Sequence, residues 1–299
     1  MAYAELSDVR CYFELLGEGE PLLLIPGLAT TCRLWDSIAP ELSQHFTCIL
    51  LDNRGVGRSI AKRPPTSLAD YVCDLIELMD HLQLQRAHVL GVSLGGVIAQ
   101  HLAIDHPSRV DHLVLVSTAS FFTPYLRRMA SLLAQGLRHF KPENFLRMME
   151  LLATAPEFHD AHEQLVEQRV ASKCAANISR RAIGTQLRCL ACSEKKLEDY
   201  RIESPTLVIS GEYDPIIPSC YARKMADLIP GSRYELIEGA GHNPLVDDAA
   251  RVAPMITEFL NDTGLEAMDR GAWNVTKDEL SGHDPRSTFQ SVQGGGFEG

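Results

Sequence analysis

Short runs of consecutive apolar residues alternate along this chain with longer stretches in which apolar residues recur every three or four positions. A short unbroken run bounded by turn residues reads as a strand buried on both faces. Seven segments fit: Val9–Leu15, Leu22–Ile25, Thr47–Leu51, Ala87–Val92, His112–Val116, Thr206–Ile209 and Tyr234–Ile237. Helical spacing marks Trp35–Gln44, Leu68–Leu82, Leu94–Asp105, Ser219–Leu228 and Asp247–Leu260. Strands alternating with helices predict an α/β fold with a mostly parallel sheet flanked by helices.

Between residues 119 and 201 the rhythm breaks. Apolar residues there keep helical spacing (Leu126, Met129, Leu133, Leu137, then Phe145, Met148, Met149, Leu152), and no buried strand is evident. This predicts a helical cap, residues 119–201, inserted into a core made of 1–118 and 202–262. Most of those Met and Phe residues should pack the cap helices together, and a minority should face a cleft. Beyond Asp262 the pattern decays into a Gly- and Ser-rich tail, 263–299, expected to be mobile. Trp273 and Phe289 are its candidates for docking on the body.

Composition narrows the function. The net charge is −11, and phosphate binding needs clustered Lys and Arg, so nucleic acid is not an expected partner. The N-terminus carries no signal-peptide apolar run, and no stretch reaches about 18 apolar residues. A cytoplasmic protein without a membrane partner is expected, so the glycosylation patterns at Asn177, Asn261 and Asn274 carry no weight. Eight cysteines are scattered, with one tight pair, Cys189 and Cys192. No second ligand pair follows, so they read as reduced, small apolar residues.

The strongest chemical signal is G-V-S-L-G, Gly91 to Gly95. It follows a predicted strand and opens a predicted helix, the context of a nucleophile elbow. Ser93 is then the nucleophile, and Gly91 and Gly95 give the turn its room. A serine hydroxyl needs a base. Of eleven histidines, His242 lies in a loop after a strand, at the edge where Ser93 should emerge. His101 and His106 lie on the helix after Ser93, His88 and His112 start strands at the opposite edge, His81 lies on a surface helix, and His139, His159 and His162 lie in the insert. Asp214, after strand Thr206–Ile209, is the acid expected to orient His242. Asp247 and Asp248 are rivals better explained as helix N-caps, and Glu212 ranks below Asp214. The order Ser93, Asp214, His242 matches this architecture. Backbone N–H groups of Leu28 and Leu94 are the expected oxyanion hole; Pro26 has no N–H to offer.

These landmarks, together with L-L-L-I-P-G-L at Leu22–Leu28, Trp35, L-D-N-R-G-V-G-R-S at Leu51–Ser59, S-G-E-Y-D-P-I-I-P at Ser210–Pro218 and G-A-G-H-N-P at Gly239–Pro244, resemble the α/β-hydrolase fold superfamily. The resemblance covers roughly residues 9 to 262. It implies an eight-stranded, mostly parallel sheet with a helical cap after the sixth strand, and it supports the triad at Ser93, Asp214 and His242. Many relatives have His-Gly where this chain has Pro26-Gly27. Relatives with Asp at the elbow, such as haloalkane dehalogenases and epoxide hydrolases, fit less well because position 93 is Ser. Within the superfamily the chain resembles small bacterial carboxylesterases and lactonases, the 3-oxoadipate enol-lactonases and the pimeloyl-carrier-protein methyl ester esterases alike.

Charge adds one further expectation. Residues 119–201 hold thirteen Lys or Arg and nine Asp or Glu, a net +4, while the rest of the chain carries −15. Arg127 and Arg128 are the candidates for a cap mouth that favours an anionic substrate or an acidic carrier protein. The alternative is a solvated helical surface of ion pairs. The expected activity is hydrolysis of a carboxylic ester or lactone through an acyl-enzyme at Ser93, requiring neither metal nor organic cofactor. Rival readings are C–C bond hydrolysis, perhydrolysis or a lyase step on the same triad, or a ligand-binding receptor with little turnover.

Overall fold

The computed structural model describes residues 2–120, 123–176, 178–192 and 201–262. The tail 263–299, with Trp273, Asn274 and Phe289, and residue Asn177 lie outside the described residues. Among the described residues nine strands form one sheet: β1 (Ala2–Glu5), β2 (Val9–Leu16), β3 (Glu20–Ile25), β4 (Phe46–Leu51), β5 (Ile60–Ala61), β6 (Ala87–Val92), β7 (Val110–Val116), β8 (Thr206–Gly211) and β9 (Arg233–Ile237). Eight run in the order β1-β2-β4-β3-β6-β7-β8-β9, and the two-residue β5 pairs with β2. Pairing is parallel from β4 to β9 and antiparallel at β2.

The sheet is covered on both faces because its strand residues alternate sides. In β3, Leu23 and Ile25 join Val89, Leu115 and Val208 on one face. Leu22 and Leu24 join Leu90, Val116 and Ile209 on the other. The first face is packed by α2 (Leu68–His81) and α3 (Leu94–Asp105). Leu68, Val72, Leu75 and Met79 put one apolar stripe of α2 on the core. Ser67 and Asp70 form a capping box that fixes where this helix starts. The second face is packed by the helical turn α1 (Ala39–Leu42) and by α11 (Ala249–Asn261).

Five helices lie between β7 and β8 among the described residues: α4 (Pro124–His139), α5 (Pro142–Ala153), α6 (Pro156–Ala161), α7 (Glu163–Ala175) and α8 (Arg180–Ala191). With β5 set aside, this insertion follows the sixth strand, as the resemblance implies. The remaining helices are α9 (Ser219–Ala226) and the single turn α10 (Pro244–Asp247). No helix among the described residues is long and apolar enough to cross a membrane.

Two helices expected to be continuous are broken. Trp35–Gln44 is a 3-10 turn, Cys32–Ser37, followed by α1, because Pro40 has no N–H to carry a helix through. Asp247–Leu260 breaks at Asp248, whose φ of −143° is not helical. Asp248 occupies the N-cap position, but its side chain makes no capping bond. The Asp247 carboxylate turns away from the helix to the backbone of Gly241 and Ala155. The N-cap explanation of these two carboxylates is therefore corrected.

Candidate active site

Ser93 occupies a sharp turn at the end of β6. Strand β6 ends at Val92 and α3 begins at Leu94, so one residue makes the reversal. Its φ of 54° and ψ of −116° lie in a region that side-chain-bearing residues avoid, at a cost on the order of 1–3 kcal/mol. The turn is pinned on both sides. The Ser93 N–H donates to Val116 O at 2.9 Å, and the Ser93 carbonyl accepts from Val97 N–H at 3.1 Å and from Thr118 Oγ1 at 2.9 Å. A Cβ on Gly91 would lie 2.4 Å from Gly95 O, and one on Gly95 only 2.0 Å from Ile25 O. Glycine is therefore required at both positions for the elbow to close against the end of β3.

The loop after β3 lies against the elbow. A Cβ on Gly27 would stand 3.5 Å from Ser93 Cβ, and Leu28 lines the same cleft as Ser93. Asn53 Nδ2 donates to Pro26 O at 2.9 Å and Thr30 Oγ1 to Gly27 O at 3.0 Å. Asp52, fully buried, accepts the N–H groups of Cys32 at 2.8 Å and Arg58 at 2.9 Å. Arg54 makes a buried ion pair with Asp74. The segment D-N-R-G-V-G-R-S thus braces this loop. From the cap side, Gln186 Oε1 accepts the N–H of Ala29, which sits at a φ of 56°, at 3.1 Å. Leu94 opens α3, where the first N–H groups of a helix have no intrahelical acceptor. Its side chain is buried in the core.

His242 and Asp214 approach from the ends of β9 and β8. His242 Nδ1 and Asp214 Oδ2 are 2.7 Å apart, both side chains nearly out of solvent. Asp214 Oδ1 accepts the N–H groups of Ile216 at 2.9 Å and Ile217 at 2.8 Å. An ionised carboxylate only accepts, so Nδ1 carries the hydrogen and the Nε2 lone pair is left available. Glu212, the rival acid, instead accepts the Gly239 N–H at 2.9 Å. The His242 loop is clamped tightly: a Cβ on Gly211 would meet Gly241 O at 1.9 Å, and one on Gly241 would meet Thr154 C of the cap at 2.8 Å. Asp247 joins the same junction, accepting Gly241 N–H at 2.6 Å and Ala155 N–H at 3.3 Å. Burial pushes its carboxyl up to about 6 against the opposing pull of those two N–H groups.

Ser93 and His242 open into one cleft, partly open to solvent. Its cap wall is apolar, with Leu126, Met129, Leu133, Leu146, Met149 and Leu187. The expected mouth residues are not there. Arg127 and Arg128 are exposed and lie outside the lining, because the face of α4 turned to the cleft carries Leu126, Met129 and Ala130. Lys173 of α7 is the one Lys or Arg among the described lining residues. It pairs with the buried Glu150, which also accepts from Arg169 at 2.5 Å. Burial pushes the Glu150 carboxyl up, but Lys173 and Arg169 outweigh it and hold it below the usual range. Burial likewise pushes the Lys173 ammonium down against Glu150. Arg147 is spent in surface pairs with Glu143 and Glu167. Asn243 lines the cleft too, and its buried Oδ1 has no hydrogen-bond partner among the described residues. Sequence reasoning missed Gln186, Lys173 and Asn243, of which only Asn243, beside His242, carried a positional hint; it placed Asp247 only as a rival acid or a helix cap.

Three relatives show what the chain is similar to. RutD of Azorhizobium caulinodans, named as a proposed carbamate hydrolase, is 27% identical over 244 residues, covering 81% of this chain and 91% of that one. The crystal structure of a hydrolase from Pseudomonas aeruginosa is 28% identical, with a TM-score of 0.78 over 87% of this chain and 98% of that one. A thermophilic esterase from Thermogutta terrifontis is 25% identical, with a TM-score of 0.77 over 87% and 98%. Residues 20–249 match the family model of the alpha/beta hydrolase fold. With an elbow serine, an Asp-held histidine and a capped cleft on this sheet, the chain belongs to the α/β-hydrolase fold family.

Proposed function

We propose that this protein is a serine hydrolase of carboxylic esters or lactones. The observation that carries this reading is the strained Ser93, opening into one cleft with His242 while Asp214 holds His242 Nδ1 at 2.7 Å. Ser93 Oγ adds to the substrate carbonyl and passes its proton to His242 Nε2. The N–H groups of Leu28 and Leu94 receive the oxyanion. His242 returns the proton to the departing alkoxide, leaving an acyl group on Ser93. Water then adds to that acyl carbonyl, losing its proton to the same histidine, and the acid departs as Ser93 recovers its hydrogen.

The cleft supports an apolar acyl or alcohol group, since its cap wall is built of Leu and Met. Lys173 supports a preference for substrates that also carry a carboxylate, as it is the one Lys or Arg among the described lining residues. This reading replaces Arg127 and Arg128 as the source of that preference. The test is labelling by a fluorophosphonate probe of the native protein and of Ser93→Ala, followed by a panel of p-nitrophenyl esters and lactones. Labelling and turnover, both lost in Ser93→Ala, are expected. A native protein that neither labels nor turns over any panel member would refute the proposal.

A further inference from the structure

A second constellation lies at the opposite edge of the sheet from Ser93. His88 is the second residue of β6, Asp111 and His112 are the second and third of β7, and Glu20 is the first of β3. The pairing of β6 with β7 is irregular at this point: Ala87 faces Val110, but Val89 faces Leu113. One residue of β6 therefore stands opposite two of β7, a bulge that turns both Asp111 and His112 toward His88. The two rings lie 5.1 Å apart, between Phe46 on the His88 side and Phe259 on the His112 side.

The donor atoms face inward. His88 and His112 are 1% and 7% exposed, and the Nδ1 of each has no hydrogen-bond partner among the described residues. Each Nδ1 stands 3.5 Å from the same oxygen, Asp111 Oδ2. That spacing is too long for an N–H···O bond, which prefers about 2.9–3.0 Å. It is close to the edge of a tetrahedron of ligands about 2.1 Å from a central ion, roughly 3.4 Å. One ligand atom from each of the three residues lies within 4.8 Å of the other two.

The surroundings orient two of the three donors. Glu20 Oε2 holds His88 Nε2 at 3.0 Å, so the proton sits on Nε2 and the Nδ1 lone pair points inward. Arg86 takes the other Asp111 oxygen at 2.9 Å, leaving Oδ2 to the histidines.

We propose that His88 Nδ1, Asp111 Oδ2 and His112 Nδ1 form a binding site for a divalent transition-metal ion of the zinc class, cross-linking β6 to β7. Two imidazoles and one carboxylate suit zinc, cobalt or nickel, and three protein ligands leave a position for water. The Ser93 chemistry needs no metal, so this site acts on stability and not on ester turnover.

The full chain, first stripped with a chelator, is titrated with Zn²⁺ by calorimetry and with Co²⁺ by visible absorption, and its melting temperature is followed. One ion per chain, a melting temperature that rises with added zinc, and a cobalt spectrum without the thiolate charge-transfer band are expected. His112→Phe, whose ring can rest on Phe259, and Asp111→Asn should each weaken zinc binding at least tenfold while circular dichroism stays native. Ester turnover should be the same with and without zinc. No saturable binding by the native chain, native affinity kept in both variants, or a thiolate band showing capture by the exposed Cys73, Cys192 and Cys220 would each overturn the proposal.

Discussion

Replacing Asp214 with Asn probes the orientation of His242 with little change of shape. Asp214 Oδ1 accepts two backbone N–H groups, from Ile216 and Ile217, and Oδ2 faces one ring nitrogen. An Asn side chain can place its oxygen on only one of these sides. With the NH₂ turned to Ile216 and Ile217, two buried donors lose their acceptor, at about 1–3 kcal/mol each. Turning the NH₂ to His242 sacrifices one hydrogen bond from the ring, about 0.5–1.5 kcal/mol. The oxygen therefore stays on the two amides, and the NH₂ donates to His242 Nδ1. That forces the ring hydrogen onto Nε2, where the proton of Ser93 should arrive. Losing the base in this way is expected to lower kcat/KM by about 10⁴, or about 5.5 kcal/mol of barrier. Stability should fall by no more than the difference between a charged and a neutral hydrogen bond, about 1–2 kcal/mol. Steady-state hydrolysis of a p-nitrophenyl ester gives the first quantity, and urea denaturation gives the second. A natively folded Asp214→Asn enzyme within tenfold of the native rate would refute this account of how His242 is held.

Gly95→Ala should fail to fold or, where folded, lose about 100-fold in kcat, because its Cβ would sit 2.0 Å from Ile25 O and drive the oxyanion loop away from Ser93. Gly184→Ala is the control: its nearest neighbour would be Leu137 Cδ2 at 3.7 Å in a helix interior, and urea denaturation should show a gain of roughly 0.5–1 kcal/mol. Asp247 gives a pH signature. Its folded pKa of about 6 lies above that of an unfolded carboxyl, so the stability it contributes is full below about pH 4 and is lost as pH rises through about 6. The gap in urea midpoint between native and Asp247→Asn should shift across that window, and a gap constant from pH 4 to 7.5 would contradict the assignment. Lys173→Met should raise KM severalfold for an ester bearing a remote carboxylate and leave its methyl ester little changed. Reversing the exposed Arg127 and Arg128 to Glu should move neither by more than about twofold, as measured with the same substrate pair.

What could be seen in the sequence depended on how far a residue acts from its own neighbourhood in the chain. The buried parallel strands were legible because both faces of Leu22–Ile25 and Ala87–Val92 are covered, which demands an unbroken apolar run. Ser93 was legible because the elbow is a local object: strand, glycine, serine and helix follow one another within a few residues. His242 and Asp214 were legible by their loops and chain order, and the 2.7 Å contact joins residues 28 positions apart. Strand β1 was missed because it is an edge strand paired only to β2, with exposed positions that blur its pattern. Arg127 and Arg128 show the limit of counting charge: composition gives the sum over a helix, while the phase of α4 decides which side chains meet the cleft. Lys173 and Gln186 belong to helices whose docking brings them to residues far away in the chain, Lys173 to Glu150 and Gln186 to Ala29. The same distinction separates the two edges of the sheet. The histidines at 88 and 112 could be assigned to the edge away from Ser93 from their strand positions alone. That they face each other across Asp111 depends on a one-residue slip in β6–β7 pairing, which no pattern of apolar residues encodes.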